Sequence, residues 1–152
     1  MSGHVNYLGR LLRRAHLIAA RRYRRHLAPL GLSPGEARLL QAVVEAPGMS
    51  LSTLASSADL DLPSVSAKVE RLLSGGTLRR EADPRDRRRL LLYPTAAGQA
   101  LEPRIRAARR ASEAELADLV GAAGAEQLRG LLLGLVEADR RVAPPAREDG
   151  DG

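Results

Sequence analysis

The segment DPRDRRRLLLYPT, Asp83 to Thr95, places four arginines and two carboxylates around a proline turn and then enters three leucines. Guanidinium groups are planar, permanently charged and fork-shaped, so a cluster of them suits phosphate oxygens and base edges better than proton transfer. Catalysis finds few parts elsewhere. His4, His16 and His26 have no paired metal-ligand spacing, there is no cysteine, and neither a glycine-rich phosphate loop nor a nucleophile elbow occurs. No enzyme activity, no metal and no cofactor is expected, and thiol redox sensing is excluded.

The composition agrees with an anionic partner. The 152-residue chain carries a formal charge of +6, and Lys68 is its only lysine, so the positive charge is almost entirely arginine. With no Phe or Trp and three Tyr, the core must be built from Leu, Val and Ala, and aromatic platforms for stacking single-stranded bases are nearly unavailable. The N-terminal MSGHVNYLGRLLRRAHL lacks a signal-peptide core, and nowhere do eighteen apolar residues run together. A cytoplasmic protein without membrane attachment is the expectation.

The elements that must position the arginines follow from periodicity. From Val5 to Leu30, Leu8, Leu12, Ala15, Ala19, Tyr23 and Leu27 recur three or four apart, predicting a long amphipathic helix. Seven arginines, from Arg10 to Arg25, fill its other face. They read either as a solvated surface or as an extension of an anion-binding footprint. Ser33, Pro34 and Glu36 form a capping-box signature for a second helix to about Ala46. Ser50 can cap a short third helix with Leu51, Leu54, Ala55 and Ala58 inward, and Asp61 a fourth that begins near Pro63 and buries Val65, Val69, Leu72 and Leu73. Asp59, in the intervening turn, is among the few non-glycine residues that tolerate a left-handed backbone. Gly75 and Gly76 stop the fourth helix, and TLRREA and RRLLLY then predict a hairpin whose tip is the arginine cluster.

A further helix from Ala96 to about Leu119 should tolerate Pro103 and carry Leu101, Ile105, Ala108, Leu116 and Leu119 on one face, interrupted by Ser112. GAAGAE makes a break before a last helix, roughly Ala125 to Val142. There Gly130 and Gly134, each costing about 1 kcal/mol against alanine, ask for a close helix neighbour. The tail at 144–152 is expected to be disordered. The organisation is thus an N-terminal helix over 1–32, a compact region over 33–95 and C-terminal helices over 96–143.

Helix, tight turn, helix and hairpin is the order of a winged helix-turn-helix, so the expected fold is mainly α with a small β-hairpin wing. Within it, VERLLSGGTLRREADPRDRRRLLLYPTAAG resembles the end of the recognition helix, the wing and the entry to the long fifth helix of the MarR-type family of dimeric transcriptional regulators. The resemblance spans about Ser33 to Gly98, and Asp86 and Arg88 match that family's Asp-x-Arg wing element. It implies sequence-specific binding of double-stranded DNA. Arg88 would enter a minor groove with Asp86 orienting its guanidinium, while Arg85, Arg87 and Arg89 would meet flanking phosphates. On the fourth helix the outward residues Pro63, Ser64, Ala67, Lys68 and Arg71, with Ser66 at the margin, are the candidate major-groove contacts. Ala67 stands where the family often has a long basic residue.

A homodimer on an imperfect palindrome follows, its two recognition helices about one DNA turn, roughly 34 Å, apart. Leu8, Leu12, Ala15, Leu116, Leu128, Leu131, Leu132 and Leu135 are the expected dimer contacts. The resemblance also implies repression and release by a small aromatic or lipophilic effector. The competing reading is a winged-helix interaction module, or an architectural DNA-binding module, with no ligand response.

Overall fold

The computed structural model describes residues 7–58 and 60–142. The expectations for the turn at Asp59, for a helix start at Val5 and for the tail at 144–152 lie outside these residues. The described chain divides between Ser112 and Glu113 into two compact units.

The first unit opens with α1 (Leu8–Leu27), continued by one 3-10 turn, Ala28–Leu30, which Gly31 closes in a left-handed conformation. Next, α2 (Pro34–Glu45) starts on the predicted capping box, with the Ser33 hydroxyl accepting from the Glu36 N–H at 3.3 Å and Glu36 Oε2 accepting from the Ser33 N–H at 2.8 Å. The Ser50 hydroxyl accepts from the Thr53 N–H at 3.1 Å and so caps α3 (Leu51–Ala58), and α4 (Leu62–Ser74) follows. The α4 backbone ends at Gly75 and Gly76.

Strands β2 (Leu78–Ala82) and β3 (Leu90–Pro94) form the predicted hairpin, in register Leu78 opposite Pro94 through Ala82 opposite Leu90. A third strand, β1 (Met49–Ser50), pairs antiparallel with β3 and gives the sheet order β1-β3-β2. Two residues carry no alternation, so this strand leaves no trace in the sequence. The hairpin is anchored at one end only. Leu78, Leu92 and Pro94 are buried, whereas Ala82, Leu90 and the tip from Pro84 to Arg89 are exposed.

The core joins α1 through Leu27, α2 through Leu39, Leu40 and Val43, and α4 through Val65, Val69 and Leu72, all at most 2% exposed. It contains no buried aromatic ring. Each helix was patterned for this, with α4 burying residues i, i+4 and i+7 of its own numbering.

The helical stretch α5 (Ala96–Val142) comprises the two C-terminal helices expected from the sequence, joined across a kink at Gly121. Its backbone leaves helical dihedrals at Gly121 alone (φ 73°, ψ 159°), at the first residue of GAAGAE, and Pro103 sits inside without ending it. In the first unit Ile105, Ala108 and Ser112 are buried. Leu119, assigned to the same inward stripe, is instead 59% exposed, because this stretch of the second unit has no partner element over it. The second unit exposes apolar residues on both sides of Gly121. The helix also holds an 18-residue window of mean hydropathy 1.3, none of it buried, long and apolar enough to cross a membrane by composition alone. No eighteen apolar residues run together, as expected; the window reaches this mean because its Leu and Val residues offset the charged residues among them.

The junction between sheet and α5 is tight. Thr95 donates its N–H to the Thr77 carbonyl at 3.1 Å and its hydroxyl to the Gly76 carbonyl at 2.6 Å, then accepts from the Gly98 N–H at 3.1 Å. A Cβ on Gly98 would lie 2.1 Å from the Thr77 oxygen. Gly98→Ala is therefore expected to force backbone movement and lower stability by about 1–3 kcal/mol, read as a lower denaturant midpoint at unchanged m-value.

Candidate nucleic-acid interface

The fourth helix is set by its cap. Asp61 Oδ1 accepts from the Ser64 N–H at 2.8 Å, and Pro63 occupies the first turn, where its missing N–H leaves no bond unmade. With Val65, Val69 and Leu72 turned into the core, Pro63 and Ala67 are exposed, Ser64, Ser66 and Lys68 are half-buried, and Arg71 is exposed. This is the inward and outward division that periodicity predicts.

Ser64, Lys68 and Arg71 on that outer face are engaged within the chain. The Ser64 side chain and N–H both serve Asp61 and hold its carboxyl below the usual carboxylate range. Lys68 Nζ reaches back to the Ser64 carbonyl at 3.4 Å, its aliphatic stem lying against Gly35 at the start of α2. Arg71 Nε pairs with Glu36 Oε1 at 2.7 Å; the Arg71 side chain is 68% exposed and that of Glu36 only 9%. Glu36 thus spends one oxygen on the capping box and the other on the recognition helix. The rest of the Arg71 guanidinium faces solvent, where it can meet a phosphate.

A second link joins α4 to the wing, because Arg80 of β2 donates Nη2 to Glu70 Oε1 at 2.6 Å. Neither link was foreseen. Glu36 is legible as a capping residue, but a second use of its carboxylate depends on α2 and α4 crossing, and Glu70 and Arg80 are ten residues apart on different elements. The base of the wing is also braced by Arg79, which pairs with Glu81 and lies over the Tyr93 ring, 5.1 Å from its centroid.

At the tip, the Asp83 N–H donates to the Arg89 carbonyl at 2.8 Å and the Arg89 N–H to the Asp86 carbonyl at 2.9 Å. Both carboxylates serve the backbone: Asp83 Oδ1 accepts from the Arg85 N–H at 2.9 Å and Asp86 Oδ1 from the Arg88 N–H at 3.0 Å. In the chain without DNA, Asp86 thus grips Arg88 through its backbone N–H. A short carboxylate two residues before an N–H closes an Asx turn, a local geometry that needs no side-chain partner. All four tip arginines are exposed. The turn is held rigid by its acids while Arg85, Arg87, Arg88 and Arg89 extend from it as unpaired cations among the described residues.

A helix-turn-helix with a short sheet, an exposed recognition helix and an arginine-tipped hairpin defines a winged-helix DNA-binding protein. A MarR-family profile matches residues 30–89. A Thauera aromatica protein designated a transcriptional regulator for the hcr operon is 32% identical over 142 residues, covering 93% of this chain and 86% of that one. Among solved structures, the transcriptional repressor CouR bound to a 23-mer DNA duplex superposes with a TM-score of 0.81 at 25% identity, over 90% of this chain and 97% of that one. A Mycobacterium tuberculosis MarR-family protein in complex with p-aminosalicylic acid gives 0.69 at 28% identity, over 85% and 98%. The chain belongs to the MarR family of transcriptional regulators. That is a family of regulators and not of enzymes.

The Asp61 cap gives a pH signature. Its folded pKa lies below its unfolded one, so its contribution to α4 is complete above the ordinary value of about 3.9 and is lost as pH falls through the folded value. The protection factor of the Ser64 amide is expected to drop in that acid window. Asp61→Asn, which keeps an acceptor but cannot titrate, should abolish the acid-dependent drop, and Asp61→Ala should lower protection at every pH.

Proposed function

We propose that this regulator is a cytoplasmic homodimeric repressor that grips a pseudo-palindromic operator with α4 in the major groove and the wing tip in the adjoining minor groove. The observation that carries this reading is the pairing of an outward α4 face with four exposed tip arginines, held in one unit by the Arg80–Glu70 bond. Arg88 is the residue assigned to the minor groove, where phosphates on both walls favour a cation, most of all over narrow A·T segments. Arg85, Arg87, Arg89 and Arg71 take phosphates, and Pro63, Ser64, Ser66, Ala67 and Lys68 form the helix surface against the bases. The DNA duplex held by CouR supports double-stranded DNA as the ligand.

Dimerisation is supported by what the chain leaves uncovered. Leu8, Leu128, Leu131 and Leu135 are 65%, 45%, 67% and 52% exposed, Ala15 is exposed, and Leu12, Leu116 and Leu132 are partly so. Soluble monomers rarely expose apolar patches larger than a few hundred Å². In the second unit an open groove of about 340 Å³ runs between Leu116 and Val120 on one side of Gly121 and Leu128, Leu132 and Val136 on the other. Gly130 and Gly134 have nothing within 4 Å of where a Cβ would stand, so the helix backbone is open to a close neighbour. A second copy of the chain satisfies both features, and it covers the surface that a lipid bilayer would otherwise claim.

The p-aminosalicylic acid held by the M. tuberculosis relative supports release by a small aromatic effector. Such a ligand need only prefer one spacing of the two recognition helices by about 1–3 kcal/mol to weaken DNA binding by about 5–150-fold.

Arg88→Ala is expected to weaken binding to the selected operator by about 1–3 kcal/mol with an unchanged circular dichroism melt, measured by fluorescence anisotropy on a duplex recovered by selection from random DNA. Equal affinity removes Arg88 from the contact set. Independently, Leu131→Glu with Leu135→Glu should convert a sedimenting dimer into a folded monomer at micromolar concentration, because both residues are exposed in the single chain.

A further inference from the structure

The long side chains that normally read bases by hydrogen bonds are absent from α4 or already occupied. Its outer face holds no Asn or Gln, Glu70 is bound to Arg80, Arg71 to Glu36, and Lys68 turns back to the Ser64 carbonyl. Two of the three hydroxyls are spent as well, since Ser64 serves Asp61 and Ser74 donates to the Glu70 carbonyl at 2.8 Å, which leaves Ser66, half-buried at the margin of the outer face. Asp61 also places a negative charge at the helix N-terminus, where a phosphate would otherwise be drawn. What remains at the centre of the outward surface is apolar: Pro63 and, one turn on, Ala67, both exposed and both on the side opposite Val65, Val69 and Leu72.

The major-groove edge of B-DNA has one apolar feature, the C5-methyl group of thymine. We propose that Pro63 and Ala67 are specificity-determining residues that read thymine methyl groups, so that operator preference in each half-site rests on methyl contacts and not on hydrogen bonds from α4. This rests on the regulator reading above and adds to it the feature of the DNA that is recognised. Close approach of the helix backbone follows from the same residues, since a proline ring and a methyl group allow α4 to lie deeper in the groove than Arg or Gln would. The bonds from Glu36 and Arg80 then act as positioning contacts, fixing the depth and angle at which two small residues meet the base edges.

Replacing thymine by deoxyuridine removes the methyl group and leaves every base-pair hydrogen bond in place. In the duplex recovered by selection, single thymine-to-deoxyuridine changes in each half-site are expected to weaken binding of the full-length protein about fourfold at one or two positions, the effect of one buried methyl-sized group. In Ala67→Gly, with folding checked by circular dichroism, one of those positions should become indifferent to the change. A strongly preferred duplex that is insensitive to deoxyuridine throughout overturns this inference while leaving the regulator reading intact. Sensitivity that persists unchanged in Ala67→Gly and in Pro63→Ala overturns the residue assignment. Recovery of no preferred duplex at all overturns the regulator reading and this inference with it.

Discussion

Burial of Val65, Val69 and Leu72 is the constraint on which the DNA-facing surface depends. Three β-branched or branched aliphatic side chains on one side of a 13-residue helix decide, by rotation alone, that Pro63 and Ala67 point the other way. Because the core contains no buried aromatic ring, it is assembled from aliphatic side chains of the helices and the sheet, and α4 packs against α2, α3 and β2. A rotation of α4 by one residue would expose Val65 and bury a serine or lysine, each outcome costing on the order of a kcal/mol or more. The face offered to DNA is therefore as fixed as the core itself.

Rotation does not fix tilt, and tilt is where the two charged links act. Glu36 is nearly buried and held by the capping box, so its second oxygen offers Arg71 a stationary anchor at the start of α2. Arg80 does the same for Glu70 from the wing. An exposed ion pair contributes little to stability, since solvent screens it and two long side chains lose freedom. Its geometric effect is larger than its energetic one: α4 is tied at two points along its length, to α2 and to β2, so helix and wing are held as one body.

Much of this was legible before any coordinates. Ser33 and Glu36, Asp61 and Pro63, and the glycines after Ser74 punctuate the helices through local hydrogen-bond needs, and local needs are written in neighbouring residues. The outward assignment of Pro63, Ala67 and Arg71 followed from period alone. Strand β1 was not legible, because two residues paired across the sheet with Leu91 and Leu92 are defined by their partner and not by their own pattern. The Glu36–Arg71 and Glu70–Arg80 bonds were hidden for the same reason: each needs the angle between two elements. The Asp86 bond to the Arg88 N–H was hidden in another way: whether a carboxylate meets a guanidinium or a backbone N–H is decided by a two-residue turn that residue types do not specify.

On the proposed assignments, the wing and the helix divide recognition into two physical kinds. Arginines on a rigid turn act through charge, which reaches over about 10 Å at moderate salt and weakens as ions compete. Methyl and pyrrolidine groups act only in contact and are nearly indifferent to ions. Raising salt should therefore strip affinity from all sequences and erode the A·T preference carried by Arg88, while leaving the part of the preference that rests on Pro63 and Ala67 almost unchanged. A recognition helix built around Arg and Lys base contacts would lose both together. The acids at Asp83 and Asp86 fit this division: by bonding backbone N–H groups, they shape the tip without neutralising any guanidinium directly, and the charge needed for the approach stays available to the duplex.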